Sequence, residues 1–116
     1  MAIPSGGGSE ILTRSHENAN SGTWVKMIDG GDADHIYTLI SLVWCDLNET
    51  DETIGLRVYT STGDYIQILN EGTPLPSKGT YIFNDKLVLV GTDELQAKNS
   101  AGNVDIYCSY IFQNWQ

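Results

Sequence analysis

The run His35-Ile-Tyr-Thr-Leu-Ile-Ser-Leu-Val-Trp-Cys45 limits the possible folds more than any other part of the chain. Both of its alternating faces are largely apolar, which predicts a strand covered on both sides, by the protein's own core or by a neighbouring subunit. Eleven residues also suffice for a buried helix, but the β-branched and aromatic content favours the extended form, where such side chains pack on a pleated surface.

Around this run the chain reads as short strands separated by turn chemistry. Glu10 to His16 and Thr23 to Ile28 are strand-like, and Asn18-Ala-Asn-Ser-Gly22 between them predicts a hairpin with a long loop. Thr53 to Tyr59 sets Ile54, Leu56 and Val58 against Arg57 and Tyr59, and Ser61-Thr-Gly-Asp64 turns it into Tyr65 to Leu69, a second hairpin. The prolines of Thr73-Pro-Leu-Pro-Ser77 exclude a central strand and predict an extended connection. Thr80 to Phe83, Lys86 to Val90, Glu94 to Lys98 and Val104 to Phe112 bring the count to about nine strands. No helical period and no internal repeat is visible. The expected fold is all-β, an antiparallel sandwich of jelly-roll-like or immunoglobulin-like winding. One domain is expected over 10–116, preceded by a Gly/Ser-rich arm at 1–9 that is expected to be flexible.

Charge narrows the partners. Fifteen acidic residues against six basic ones give a formal net charge of −9, a field that repels a phosphate backbone. The basic residues are scattered singly, so no polybasic patch offers a footprint for anionic lipid. Neither nucleic acid nor membrane is an expected partner. The first ten residues lack the basic and apolar regions of a secretion signal, and no run approaches the ~18 apolar residues of a membrane span. Synthesis in a reducing cytoplasm is therefore expected.

Catalytic chemistry finds little foothold. His16 and His35 have no Cys, Asp or Ser at a motif spacing, and no nucleophile elbow, zinc-protease, P-loop or dinucleotide fingerprint occurs. Asp29-Gly-Gly-Asp-Ala-Asp34 groups three carboxylates, but the twelfth position of a calcium loop counted from Asp29 is Ile40, so it reads as an acidic turn. Cys45 and Cys108 lack a CxxC spacing and read as small buried hydrophobes. No enzyme, cofactor or metal is expected.

Subunit contact has better candidates. On the last strand Val104, Ile106, Cys108, Tyr110 and Phe112 fall on one face, leaving Tyr107 and Ile111 on the other with Asp105 and Ser109. Tyr107, Ile111 and the following Trp115, together with Ile11 of the first strand and Ile3, Pro4 and Ser5 of the arm, are the candidate contact residues.

The carboxyl half resembles small β-sandwich virion structural proteins of tailed bacteriophages, notably those of cyanophages. The resemblance rests on Pro74-Leu-Pro-Ser-Lys-Gly-Thr-Tyr-Ile-Phe-Asn-Asp-Lys-Leu-Val-Leu and Gly91-Thr-Asp-Glu-Leu-Gln-Ala-Lys-Asn-Ser-Ala-Gly-Asn-Val-Asp-Ile-Tyr-Cys-Ser-Tyr110, about half the chain. Gly8-Ser-Glu-Ile-Leu-Thr-Arg14 is also similar to these proteins. The resemblance implies a non-enzymatic virion component, foremost a capsid decoration (cement) protein that binds capsid subunits and stabilises the particle, with a head-to-tail connector or tail component as the alternative. It implies capsid or tail proteins of the same virion as partners, a homo-oligomer, and residence in the virion. A carbohydrate- or receptor-binding module is the rival, with aromatic side chains beside acidic loops such as 29–34.

Overall fold

The computed structural model describes residues 10–20, 22–31, 33–100 and 102–114. Within them lie nine strands: β1 (Glu10–Ala19), β2 (Val25–Asp29), β3 (His35–Asp46), β4 (Glu52–Tyr59), β5 (Tyr65–Leu75), β6 (Thr80–Phe83), β7 (Leu87–Val90), β8 (Glu94–Asn99) and β9 (Val104–Asn114). The described residues contain no helix.

The pairing is nested. β1 pairs with β9, β2 with β8, β3 with β6 and β7, and β4 with β5, every pair antiparallel. The chain is thus one long ribbon doubled back at the turn after β4. Rolling that ribbon lays β9 against β3 and β8 against β4. Two sheets result, β1-β9-β3-β6 with β7 also on β3, and β2-β8-β4-β5. This is jelly-roll winding, which decides between the two windings expected from sequence. β6 and β7 behave as one interrupted strand, since β6 covers Leu42 to Cys45 and β7 covers Ile36 to Leu39 on the same side of β3.

The doubling point is local chemistry. Thr60 N–H donates to Asp64 O at 2.8 Å, Gly63 N–H donates to Thr60 O at 2.9 Å, and Gly63 sits at φ 92°, where a Cβ would strain the turn. The expected β4–β5 hairpin is therefore present. The expected β1–β2 hairpin is not: those strands lie at the edges of different sheets, and β1 takes β9 as its partner. Pro74 also departs from expectation, because β5 continues through it opposite Thr53. The strand tolerates proline because β5 is an edge, where one side of the backbone needs no ladder partner.

Leu39, Leu42 and Trp44 of β3, Leu89 of β7 and Ile106 of β9 meet Ile54, Leu56 and Leu95 of the second sheet in a fully buried layer. Each such side chain contributes about 1.5 to 3 kcal/mol by leaving water. A bulge shapes this layer. Leu39 faces Tyr110 and Ser41 faces Ser109, so Ile40 is an extra residue in β3. Before it the odd positions Tyr37 and Leu39 are buried; after it the even positions Leu42, Trp44 and Asp46 are. The doubly apolar look of His35 to Cys45 comes partly from that change of phase. The rest comes from a second face which the other described residues do not cover.

Candidate functional site

That second face is the outside of the β1-β9-β3-β6/β7 sheet, and its register builds rows of apolar side chains. Paired residues of adjacent antiparallel strands share a face. One row runs Leu12, Ile111, Thr38, Val88 across β1, β9, β3 and β7. Another runs His16, Tyr107, Val43, Ile82 across β1, β9, β3 and β6. Between them, Arg14, Ser109 and Ser41 align next to the bulged Ile40, and Leu12, Arg14, Ile40, Tyr107 and Ser109 line a shallow open depression of about 530 Å³. A further row ends in Ile36 and Val90.

Several side chains of these rows are exposed. Leu12 is 71% exposed, Val88 66%, Ile82 60% and Tyr107 46%. Four strands at about 4.8 Å spacing make the rows roughly 15 Å wide. Scattered apolar residues on a surface need no explanation, but a contiguous set flanked by polar residues marks a contact site. The flanks are polar: Glu10 and Gln113 close one end of the sheet, and Asn18 and Asp105 close the other.

The outside of the other sheet is different. Arg57 of β4 lies between the rings of Trp24 and Tyr65, at 4.0 and 4.1 Å from the centroids, and its Nε–H donates to Gln96 Oε1 at 2.7 Å. Gln96 Nε2 donates in turn to Glu94, which pairs with Lys26 at 3.4 Å. Tyr59 stands against Tyr65 with centroids 4.6 Å apart. Cations stacked on aromatic faces stabilise such a surface. They also occupy one face of each of these two rings.

The predicted contact residues divide. Tyr107 and Ile111 lie on the outer face, one in each apolar row. Ile11 is exposed but has the opposite phase, opposite Phe112 at the mouth between the sheets, so it does not join them. Ile3, Pro4 and Ser5 of the arm, and Trp115, lie outside the described residues. Leu12, Ile82, Val88 and Val90 belong to the face yet escaped sequence reasoning. For Ile82, Val88 and Val90 the signal was present in Tyr81-Ile-Phe83 and Leu87-Val-Leu-Val90, short runs apolar on both faces in strands where one face suffices for a core.

Both cysteines are free. Cys108 is buried, as expected, and burial raises its thiol pKa against the lowering effect of hydrogen bonding to Ser15. Cys45 is not the buried hydrophobe expected: it follows the bulge, so it turns to the outer face and is half-buried there. Asp32 of the acidic 29–34 stretch lies outside the described residues; among the described residues no group of three or more His, Cys, Asp or Glu is gathered for a metal, and Asp29 lies 3.9 Å from Lys26 Nζ.

No family model matches the sequence, and no curated protein matches it. Solved structures do match in fold. The chain is similar to the pilus protein of Bacillus endospore appendages, described as disulfide-linked pili, with TM-score 0.53 and 10% identity over 100% of this chain and 97% of that one. It is similar to the Drosophila NLP core, described in terms of pentamer formation and histone binding, with TM-score 0.53 and 14% identity over 84% and 97%. It is also similar to a capsid chain of Helicobacter pylori bacteriophage KHP30, with TM-score 0.51 and 8% identity over 92% and 89%. At these identities the likeness is one of fold: the chain is a jelly-roll sandwich of the kind found in viral capsid proteins.

Proposed function

We propose that this chain is a non-enzymatic structural subunit of a virion, a capsid decoration protein that seats the outer face of its β1-β9-β3-β6/β7 sheet on capsid subunits and stabilises the particle. The observation that carries the reading is the pair of exposed apolar rows across that face, in a chain whose remaining surface is strongly acidic. A four-strand face whose apolar rows are interrupted by Arg14, His16 and small polar residues can still bury well against another protein, and a contact repeated by particle symmetry need not be strong singly to hold. Acidity suits a position outside a shell filled with nucleic acid. The fold neighbours support the reading in one respect: a pilus, a pentamer and a capsid are all assemblies of repeated subunits. The resemblance of the carboxyl half to tailed-phage virion proteins, cyanophage ones among them, directs it to a phage particle. A head-to-tail connector or tail component uses the same face and differs only in the surface it meets. The carbohydrate-binding reading is weaker, because Arg57 and Tyr59 already occupy faces of the surface rings.

Val88→Glu and Tyr107→Glu place a charge on solvent-accessible positions of the face, so folding should survive while docking should not. Co-sedimentation with assembled shells is expected to fall at least tenfold for each variant and to stay unchanged for Gln67→Glu on the opposite sheet. Full occupancy by both face variants would contradict the proposal.

A further inference from the structure

A sandwich interior retains polar atoms when something answers them. Three buried side-chain atoms among the described residues have no partner: Trp44 Nε1, Asp46 Oδ2 and Asn99 Oδ1. Two of these belong to the closing residues of strands in opposite sheets, Asp46 of β3 and Asn99 of β8, which are 2% and 1% exposed. Both keep the inward phase of their strands. Trp44 shares that face, two residues before Asp46.

The hydrogen bonds around these oxygens orient them. Asp46 Oδ1 accepts Asn48 N–H at 2.8 Å, which leaves Oδ2 unanswered. Asn99 Nδ2 donates to the carbonyls of Ser100 and Gly102 at 2.6 and 2.7 Å, so the amide is not reversed and its oxygen points away from them. Glu52, 7% exposed, joins the same end of the sandwich, with Oε1 accepting from Ser100 Oγ at 2.5 Å and from Gly102 N–H at 2.9 Å. A Cβ on Gly102 would collide with Glu52 Oε2 and Asn48 Nδ2, so a larger residue there would push those two side chains from their places.

Charge distinguishes this cluster from an ordinary loop network. Lys26, Lys78 and Lys98 pair with Asp29, Glu94, Glu49 and Glu71, and no ion pair among the described residues reaches Asp46 or Glu52. Asp93, also buried, is answered on both oxygens by Ser61 and Val90 N–H groups. Asp46 is not. A water satisfies a hydrogen bond, but a buried carboxylate without a basic partner also calls for positive charge.

We propose that Asp46 Oδ2, Asn99 Oδ1 and the Glu52 carboxylate supply the protein oxygens of a site for a hard divalent cation of the Ca²⁺ class, at the sandwich end closed by 100–103. Carboxylate and amide oxygens completed by water are the ligands that Ca²⁺ takes. Cys45 faces outward, so this oxygen set does not suit a thiophilic metal. The bound ion would fasten the β3–β4 and β8–β9 connections together, and it is independent of the docking face.

Tb³⁺ is the probe, because Trp44 beside Asp46 sensitises its luminescence. Titration of the full chain is expected to give saturable luminescence under indole excitation, displaced by Ca²⁺ in preference to Mg²⁺. Ca²⁺ added after chelation is expected to raise Tm. Asp46→Asn, near-isosteric, should weaken Tb³⁺ at least tenfold; if it fails to fold, Glu52→Gln takes its place. Equal luminescence in wild type and variant, or a Tm indifferent to Ca²⁺, would overturn the proposal and leave a buried water as the occupant.

Discussion

Glu52 illustrates how a buried carboxylate stays charged. Burial alone would raise its pKa, but hydrogen bonds from Ser100, the Gly102 amide, Thr50 and Asn99 outweigh that and hold it below the usual value of 4.5. A lowered folded-state pKa means that the folded protein binds this proton less readily than the unfolded chain. The stabilisation is therefore fully present above pH 4.5 and is lost as pH falls below it. Glu52→Gln removes the charge that the loop is built to receive and is expected to cost about 2 kcal/mol at neutral pH, the scale of hydrogen bonds to an ionised group. Denaturant melts with chelator present should show the gap to wild type narrowing below pH 4.5. A constant gap across that range would refute this role.

Among the elements, β3 carries the most information. Its bulge at Ile40 lets one strand bury Tyr37 and Leu39 on one side of the extra residue and Leu42 and Trp44 on the other. Deleting Ile40 restores strict alternation and forces one of those pairs outward, because a one-residue slip exchanges the faces of everything beyond it. The deletion is expected to abolish cooperative unfolding, whereas Ile40→Ala, which keeps the extra residue, should leave a two-state melt; cooperative melting of the deletion would contradict the assigned register. Strand positions were legible in the sequence because alternation and turn residues are local. So was the β4–β5 hairpin, whose turn spans five residues from Thr60 to Asp64. The partner of β1 was not legible. β9 lies some ninety residues away, and alternation records which face is buried without recording which strand lies alongside. Pro74 excluded a central strand correctly, but an edge strand accepts it.

At the scale of the molecule, two sheets have unlike outsides. One is tied up in a network of Arg57, Trp24, Tyr65, Gln96 and Glu94; the other presents apolar rows with little to satisfy them. Half of that site was readable in advance, since Tyr107 and Ile111 follow from the phase of one long regular strand. Ile82 and Val88 were hidden because four-residue strands do not reveal which of two apolar faces is the core, and Leu12 because β1 offers only the adjacent pair Ile11 and Leu12, either of which could face inward. The orphan oxygens of Asp46 and Asn99 were beyond reach, as the two residues meet only through the winding of the ribbon. Electron cryo-microscopy of the parent particle tests the docking claim most directly. Density from a neighbouring subunit is expected over Leu12, Ile82, Val88 and Tyr107; a particle in which this face is open to solvent and the Trp24–Arg57–Tyr65 side is seated would contradict it.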